Sequence, residues 1–135
     1  MEGYEKNENY ISEILNAPKG FGGIDANDIK DLFSDDEEIF AIEASVEASL
    51  SNRMERLMEQ IKKQTKGYKS FNHCLVFFFF PKDYPLMMEE LLLFNEWIDS
   101  IPGLSMMKWG MSTTANNSQT SLREIVLLQQ NYRTV

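Results

Sequence analysis

The seven residues Cys74-Leu75-Val76-Phe77-Phe78-Phe79-Phe80 form the longest apolar run of the chain and decide its fold. A helix that crosses a bilayer needs about 20 residues, so this run is too short to span a membrane. A short, continuous apolar run is typical of a strand that is buried on both faces in the centre of a sheet. Because neighbouring side chains of a strand point to opposite faces, we expect two of the four phenylalanines to pack under each of two helical layers.

Further helices and strands are predicted on both sides of this central strand. Helical spacing of apolar residues predicts helices at residues 10–15, 25–33, 50–64 and 86–101. Apolar runs predict strands at residues 38–46, 74–80, 104–111 and 122–129. Two strand–helix–strand crossovers predict parallel neighbours, and the last two strands predict a hairpin. The predicted fold class is therefore α/β, with a four-stranded, mostly parallel sheet, two long helices and an antiparallel closing strand.

The composition of the 135 residues excludes several classes of protein. The chain is 43% hydrophobic, which is typical of one globular domain; we assign it to residues 11–135, after a flexible acidic tail at residues 1–10. With 13 basic and 21 acidic residues, the net charge of −8 argues against nucleic acids and anionic membranes as partners. A single cysteine and a single histidine exclude an internal disulfide and a zinc site, and no other metal or cofactor is expected. No signal peptide is visible, which predicts a cytoplasmic protein.

The region before the first strand resembles one junction of a known family. Residues 11–18 (Ile-Ser-Glu-Ile-Leu-Asn-Ala-Pro) are followed by Gly20 and by residues 24–29 (Ile-Asp-Ala-Asn-Asp-Ile). This string is similar to the end of the long central helix of FtsZ, the bacterial tubulin homologue, and to the loop that follows it. The family pattern there is Asn-x-Asp-x-x-Asp; Asp25 and Asp28 match its two acids, whereas Gly23 stands where the family has Asn.

The resemblance continues to about residue 129 and is carried by the order of elements more than by exact motifs. The later segments are similar to the strands and helices of the FtsZ C-terminal domain: residues 40–42 with 52–53, residues 74–83, residues 86–98, residues 107–110 and residues 123–127. The family's nucleotide domain, with its glycine-rich phosphate loop, has no counterpart here. The resemblance therefore implies a free-standing C-terminal domain that cannot bind GTP in the family's way by itself.

The sharpest candidate residues are the two acids of the matched loop. In the family, the matching acids enter the nucleotide pocket of the neighbouring subunit and orient the attacking water and a cation. The resemblance thus implies a partner-binding loop that contains Gly22, Gly23, Asp25 and Asp28. A simpler explanation needs no chemistry, because Asp25 suits a helix N-cap and Asp28 suits the first helical turn. We favour this explanation, since the family's Asn and its nucleotide domain are both missing.

Other candidate sites are weaker. His73 and Cys74 are adjacent in a strand and point to opposite faces, so they do not form a catalytic dyad. The acidic run at residues 35–38 lacks the alternating spacing of a calcium loop. Seven methionines can mark an adaptable binding surface, although most of them are expected in the core: Met54, Met58, Met87, Met88, Met106, Met107 and Met111.

Three functional hypotheses follow from these observations. The first is a non-enzymatic interaction module that binds a protein, either a second copy of itself or an FtsZ- or tubulin-like filament subunit, in bacterial cell division. The second is a partner that stimulates GTP hydrolysis in trans through Asp25 and Asp28. The third is a small-molecule-binding α/β domain, which we rank last because no base, nucleophile and oxyanion donor cluster in the sequence.

Overall fold

The computed structural model describes residues 2–17, 24–33, 37–68, 71–114 and 120–129, with side chains from residue 8 onward. These residues form four helices and four strands. In chain order they are α1 (Glu2–Leu15), α2 (Ala26–Leu32), β1 (Ile39–Glu47), α3 (Arg53–Thr65), β2 (His73–Phe80), α4 (Leu91–Asp99), β3 (Met106–Thr113) and β4 (Ser121–Gln129).

The four strands form one mixed sheet in the order β1-β4-β2-β3. Strands β2 and β3 are parallel, whereas β4 is antiparallel to both β1 and β2. The mostly parallel sheet predicted from the sequence is therefore wrong, since only one pair is parallel. Of the two predicted pairs of parallel neighbours, β2 and β3 are observed and are connected by α4, whereas β1 and β2 run in the same direction but are separated by β4. The predicted β3–β4 hairpin is absent because β4 crosses β2 and inserts between β1 and β2.

The core is divided by the sheet into two layers. Phe78 and Phe80 belong to the layer beneath α3 and α4, which also contains Leu57 and Phe94. Phe77 and Phe79 belong to the layer beneath α1 and α2. The predicted division of the four phenylalanines is confirmed, and β2 is buried at seven consecutive positions, 74–80.

Two helices differ in extent from the sequence expectation. Helix α1 begins at Glu2, so the backbone is helical across residues that were predicted to form a flexible tail. Helix α4 begins at Leu91, because residues 86–90 form turns that lead into it instead of a continuous helix. Among the described residues, no helix has the length and apolar character needed to cross a membrane.

The outer edge of β1 is covered by two side chains of α3. The Gln60 amide donates to the Ser45 carbonyl oxygen (3.0 Å) and accepts from the Ser45 backbone N–H (3.4 Å). The Gln64 amide donates to the Glu43 carbonyl oxygen (2.9 Å). These bonds satisfy backbone groups that an edge strand would otherwise offer to a neighbouring chain.

Candidate functional site

The beginning of α2 carries the two acids that the sequence singled out. Asp25 is the N-cap residue, with extended backbone (φ −109°, ψ 176°). Its carboxylate accepts from the Asp28 N–H at 2.9 Å, and the Asp28 carboxylate accepts from the Asp25 N–H, also at 2.9 Å. This reciprocal pair is a capping box, which satisfies backbone donors that the first helical turn leaves free. The prediction of an N-cap followed by a first-turn acid is confirmed.

A lysine from a distant strand completes this site. Lys108 on β3 donates from its ammonium to Asp28 Oδ1 at 3.0 Å, and both side chains are about one-third exposed. The hydrogen bond from the Asp25 backbone, and then the one from Lys108, hold the pKa of Asp28 below its usual range. Asp28 is therefore a carboxylate at neutral pH, with each oxygen bonded to a donor of this chain. Asp25 is exposed.

The structure thus brings Asp25 and Asp28 together, whereas Gly22 and Gly23 lie outside the described residues. The site presents the Asp25 carboxylate and the Asp28–Lys108 ion pair at the surface. Each oxygen of Asp28 accepts one hydrogen bond from this chain and keeps a further lone pair for a donor from outside it. The geometry is suited to ionic and hydrogen-bonded docking of a partner.

A second polar cluster, on the same face of the sheet, fixes α1. The Arg123 guanidinium on β4 donates to Glu13 of α1 (3.1 Å from Nη2) and to Glu43 of β1 (3.0 Å from Nε), and it lies 5.4 Å from the ring centre of Phe79. Its hydrogen bonds to Glu13 raise the pKa of Arg123. Burial, followed by the bond to Glu43, raises the pKa of Tyr10 to about 12. The cluster holds α1, which precedes the candidate loop, on the sheet.

The remaining sequence candidates are not brought into a site. Cys74 is fully buried in the layer beneath α3 and α4, and burial raises the pKa of its thiol. His73 is only half-buried and lies at the start of β2, so it forms no dyad with Cys74. Within the described ranges, no group of three or more His, Cys, Asp or Glu side chains could hold a metal ion.

Sequence reasoning missed three charged residues that the structure makes prominent: Lys108, Arg123 and Glu124. Lys108 and Arg123 meet partners 80 or more positions away in the chain, and no local pattern reports such pairs. Glu124 did carry a signal, because it is an acid inside a strand whose other residues predict burial. It is fully buried, and its carboxyl oxygens have no hydrogen-bond partner among the described residues.

Comparison with solved structures identifies the architecture. The chain superposes on an FtsZ dimer structure from M. jannaschii with a TM-score of 0.63 at 14% sequence identity, covering 93% of this chain and 38% of that one. It superposes on the M. jannaschii FtsZ W319Y mutant with a TM-score of 0.65 at 12% identity, covering 93% of this chain and 40% of that one. The fold is that of an FtsZ C-terminal-like domain.

The FtsZ resemblance predicted from the sequence is thus confirmed at the level of the fold. This chain spans about two fifths of the length of the FtsZ chains it matches. No family model matches the sequence, and no curated protein matches it either. At 12–14% identity, the FtsZ-like architecture is established by backbone geometry and not by conserved sequence.

Proposed function

We propose that this chain is a non-enzymatic protein-interaction module that docks on an FtsZ- or tubulin-like subunit through the start of α2, and so modulates a filament in cell division. The observation that carries the proposal is the FtsZ C-terminal-like fold over 93% of the chain. The contact surface is formed by the exposed Asp25 and by the Asp28–Lys108 ion pair.

The geometry of the two acids supports docking of a partner donor. Both oxygens of Asp28 accept a hydrogen bond within this chain, at 2.9 Å from the Asp25 N–H and at 3.0 Å from Lys108. Each oxygen keeps an outer lone pair, so a partner cation or amide donor can bind both carboxylates without rearrangement. The same lone pairs can also accept from a water molecule, so the phosphate-release measurement below distinguishes docking from catalysis in trans.

The proposal is tested by sedimentation of an FtsZ with GTP, in the presence and absence of this chain. The wild-type chain is expected to sediment with the polymer or to change the amount of polymer that sediments. The double variant Asp25→Asn/Asp28→Asn should lose this effect, while Asn at the N-cap keeps the helix start intact. The matched control is Glu55→Gln/Glu59→Gln, which removes the same charge from two exposed positions on α3 and should behave like wild type.

Phosphate release measured in the same mixtures separates docking from the GTPase-stimulating alternative. Docking alone predicts an unchanged rate of hydrolysis per polymerised subunit. A rate that rises with the chain and returns to baseline with Asp25→Asn would replace the docking proposal by catalysis in trans. If neither chain nor variant alters sedimentation, the proposed function is wrong.

A further inference from the structure

Among the described residues, the most exposed large hydrophobic side chains lie where the chain enters α4. Seven large hydrophobic residues of the described part are exposed, and four of them lie between residue 84 and the first turn of α4. Three of these, Tyr84, Met87 and Met88, precede α4 and are 44%, 55% and 80% exposed; the fourth, Leu92, lies in the first turn of α4 and is 62% exposed. We call these four residues the α4 entry patch. Scattered exposed hydrophobic residues are ordinary, whereas several of them in one short stretch of chain, as here between residues 84 and 92, indicate an interaction surface.

The backbone beneath the patch is held by a buried arginine. Arg53 at the start of α3 is 5% exposed, and its guanidinium makes a bidentate pair with Glu90, with both N–O distances 2.7 Å. The same guanidinium donates to the carbonyl oxygens of Ala48 (3.1 Å), Tyr84 (3.0 Å) and Pro85 (2.8 Å). Four of these five hydrogen bonds fix the segment before α4, and the fifth ties Arg53 itself to Ala48 after β1, which lowers the entropy cost of docking.

Every exposed ionisable residue of α4 is acidic. Glu96 and Asp99 lie four and seven residues after Leu92, so they share its outward helix face. Two further acids, Glu89 and Asp83, are exposed beside the patch. Lys82 is the one exposed cation of residues 81–90. An apolar group of flexible methionines next to a row of carboxylates is complementary to a helix with an apolar stripe and flanking lysines or arginines.

From this geometry and charge we propose that the α4 entry patch binds a basic amphipathic helix of a partner protein. The partner helix lies along α4, with its apolar residues on Met88 and Leu92 and its cations on Glu96 and Asp99. This surface is separate from the Asp28–Lys108 site. The latter lies in the α1–α2 layer near the amino end of β2, where Lys108 is level with Leu75, whereas the patch follows the carboxyl end of β2. The chain therefore has two binding surfaces on opposite layers of one sheet.

The test uses a synthetic peptide of about 18 residues that places Leu at helical spacing and Lys on both flanks, enough for about five turns. Binding to the full chain is measured by titration calorimetry, and a peptide of the same composition in shuffled order is the control. The ordered peptide should bind at least about tenfold more tightly than the shuffled one. Met88→Gln/Leu92→Gln should remove this preference, and Glu96→Gln/Asp99→Asn should weaken binding and reduce its salt dependence.

Two variants serve as matched controls. Met106→Gln changes an exposed methionine at the start of β3, and Glu55→Gln/Glu59→Gln removes two exposed acids from α3; both should bind the ordered peptide like wild type. The proposal would be overturned if the control variants lost as much affinity for the ordered peptide as the patch variants do. It would also be overturned if the wild-type chain bound the ordered and the shuffled peptides with equal affinity. A dimer in solution that Met88→Gln/Leu92→Gln dissociates would also overturn it, because a second copy would then cover the patch. None of these readouts involves Asp25 or Asp28, so the result is independent of the sedimentation test.

Discussion

The buried carboxyl of Glu124 makes the stability of this protein depend on pH in an unusual direction. Glu124 lies on central strand β4, level with Ala44 of β1 and Phe78 of β2, in the layer beneath α3 and α4. It is 0% exposed, and neither oxygen has a hydrogen-bond partner among the described residues. Burial alone raises its pKa from 4.5 to about 8. Ionised carboxylates are destabilised in such surroundings, so the folded protein keeps this group protonated at neutral pH.

The sign of the pH effect follows from proton binding in the two states. Between about pH 4.5 and 8, the unfolded chain has released the Glu124 proton and the folded chain still holds it. Because the folded state binds more protons, its stability falls as pH rises through this window. The loss is about 1.4 kcal/mol per pH unit, or a few kcal/mol across the whole window.

The variant Glu124→Gln removes this titration while keeping the shape of the side chain. We measure urea unfolding of wild type and variant by circular dichroism from about pH 5 to about pH 8.5. The free energy of unfolding of Glu124→Gln minus that of wild type should rise by about 1.4 kcal/mol for each unit of increasing pH. It should level off above about pH 8. Glu124→Met, which fills the same space without a polar group, should exceed wild-type stability across the same range. Parallel curves for wild type and Glu124→Gln would refute the reasoning, since they would mean that Glu124 has the same pKa in both states.

Three further predictions concern the ion pairs and the thiol. Arg53→Met should lower the free energy of unfolding by about 3–5 kcal/mol, because it leaves Glu90 as an uncompensated, largely buried charge. The measurement is urea denaturation at neutral pH, and a loss below about 1 kcal/mol would contradict this reasoning. Lys108→Met should raise the pKa of Asp28 in a carboxyl NMR titration, yet leave it below the usual range because the capping bond persists; an unchanged pKa would show that the ion pair does not form in solution. Cys74 should resist a thiol reagent at about pH 8 in the native protein and react at once in urea, and rapid native labelling would contradict its burial.

The sequence was sufficient for the elements and the layers, but not for the neighbours in the sheet. The alternation of Phe77 to Phe80 between two helical layers follows from strand geometry alone, and it is observed. The position of β4 does not follow from local pairing rules, which favoured a hairpin with β3. Residues 125–128 of β4 are apolar on both faces, as a central strand requires, but residues 39–42 of edge strand β1 form an equally long apolar run, so the sequence does not distinguish the central strand from the edge strand.

The candidate site shows the same division between local and distant information. The capping box of Asp25 and Asp28 spans three residues, and the sequence predicts it directly. The pairing of Asp28 with Lys108 joins residues 80 positions apart, and it depends on β3 lying at the edge beside α2. A lysine in the middle of an apolar strand is a conspicuous residue, but its partner is specified only by the fold.

The placement of β4 has a consequence for how this protein is synthesised. It is the last of the described strands to leave the ribosome, yet it lies between β1 and β2 and pairs with both. A nascent chain translated only through Thr113 contains β1, β2 and β3 but lacks β4, the strand that joins β1 to β2. The strands β1 and β2 are then each without one sheet neighbour. The complete sheet can therefore form only after residues 121–129 have been translated. Its contacts join positions as far apart in the chain as Glu43 and Arg123, and contacts between such distant residues slow folding. Until then the Phe77–Phe80 strand lacks one of its two sheet neighbours and exposes apolar surface, which favours aggregation.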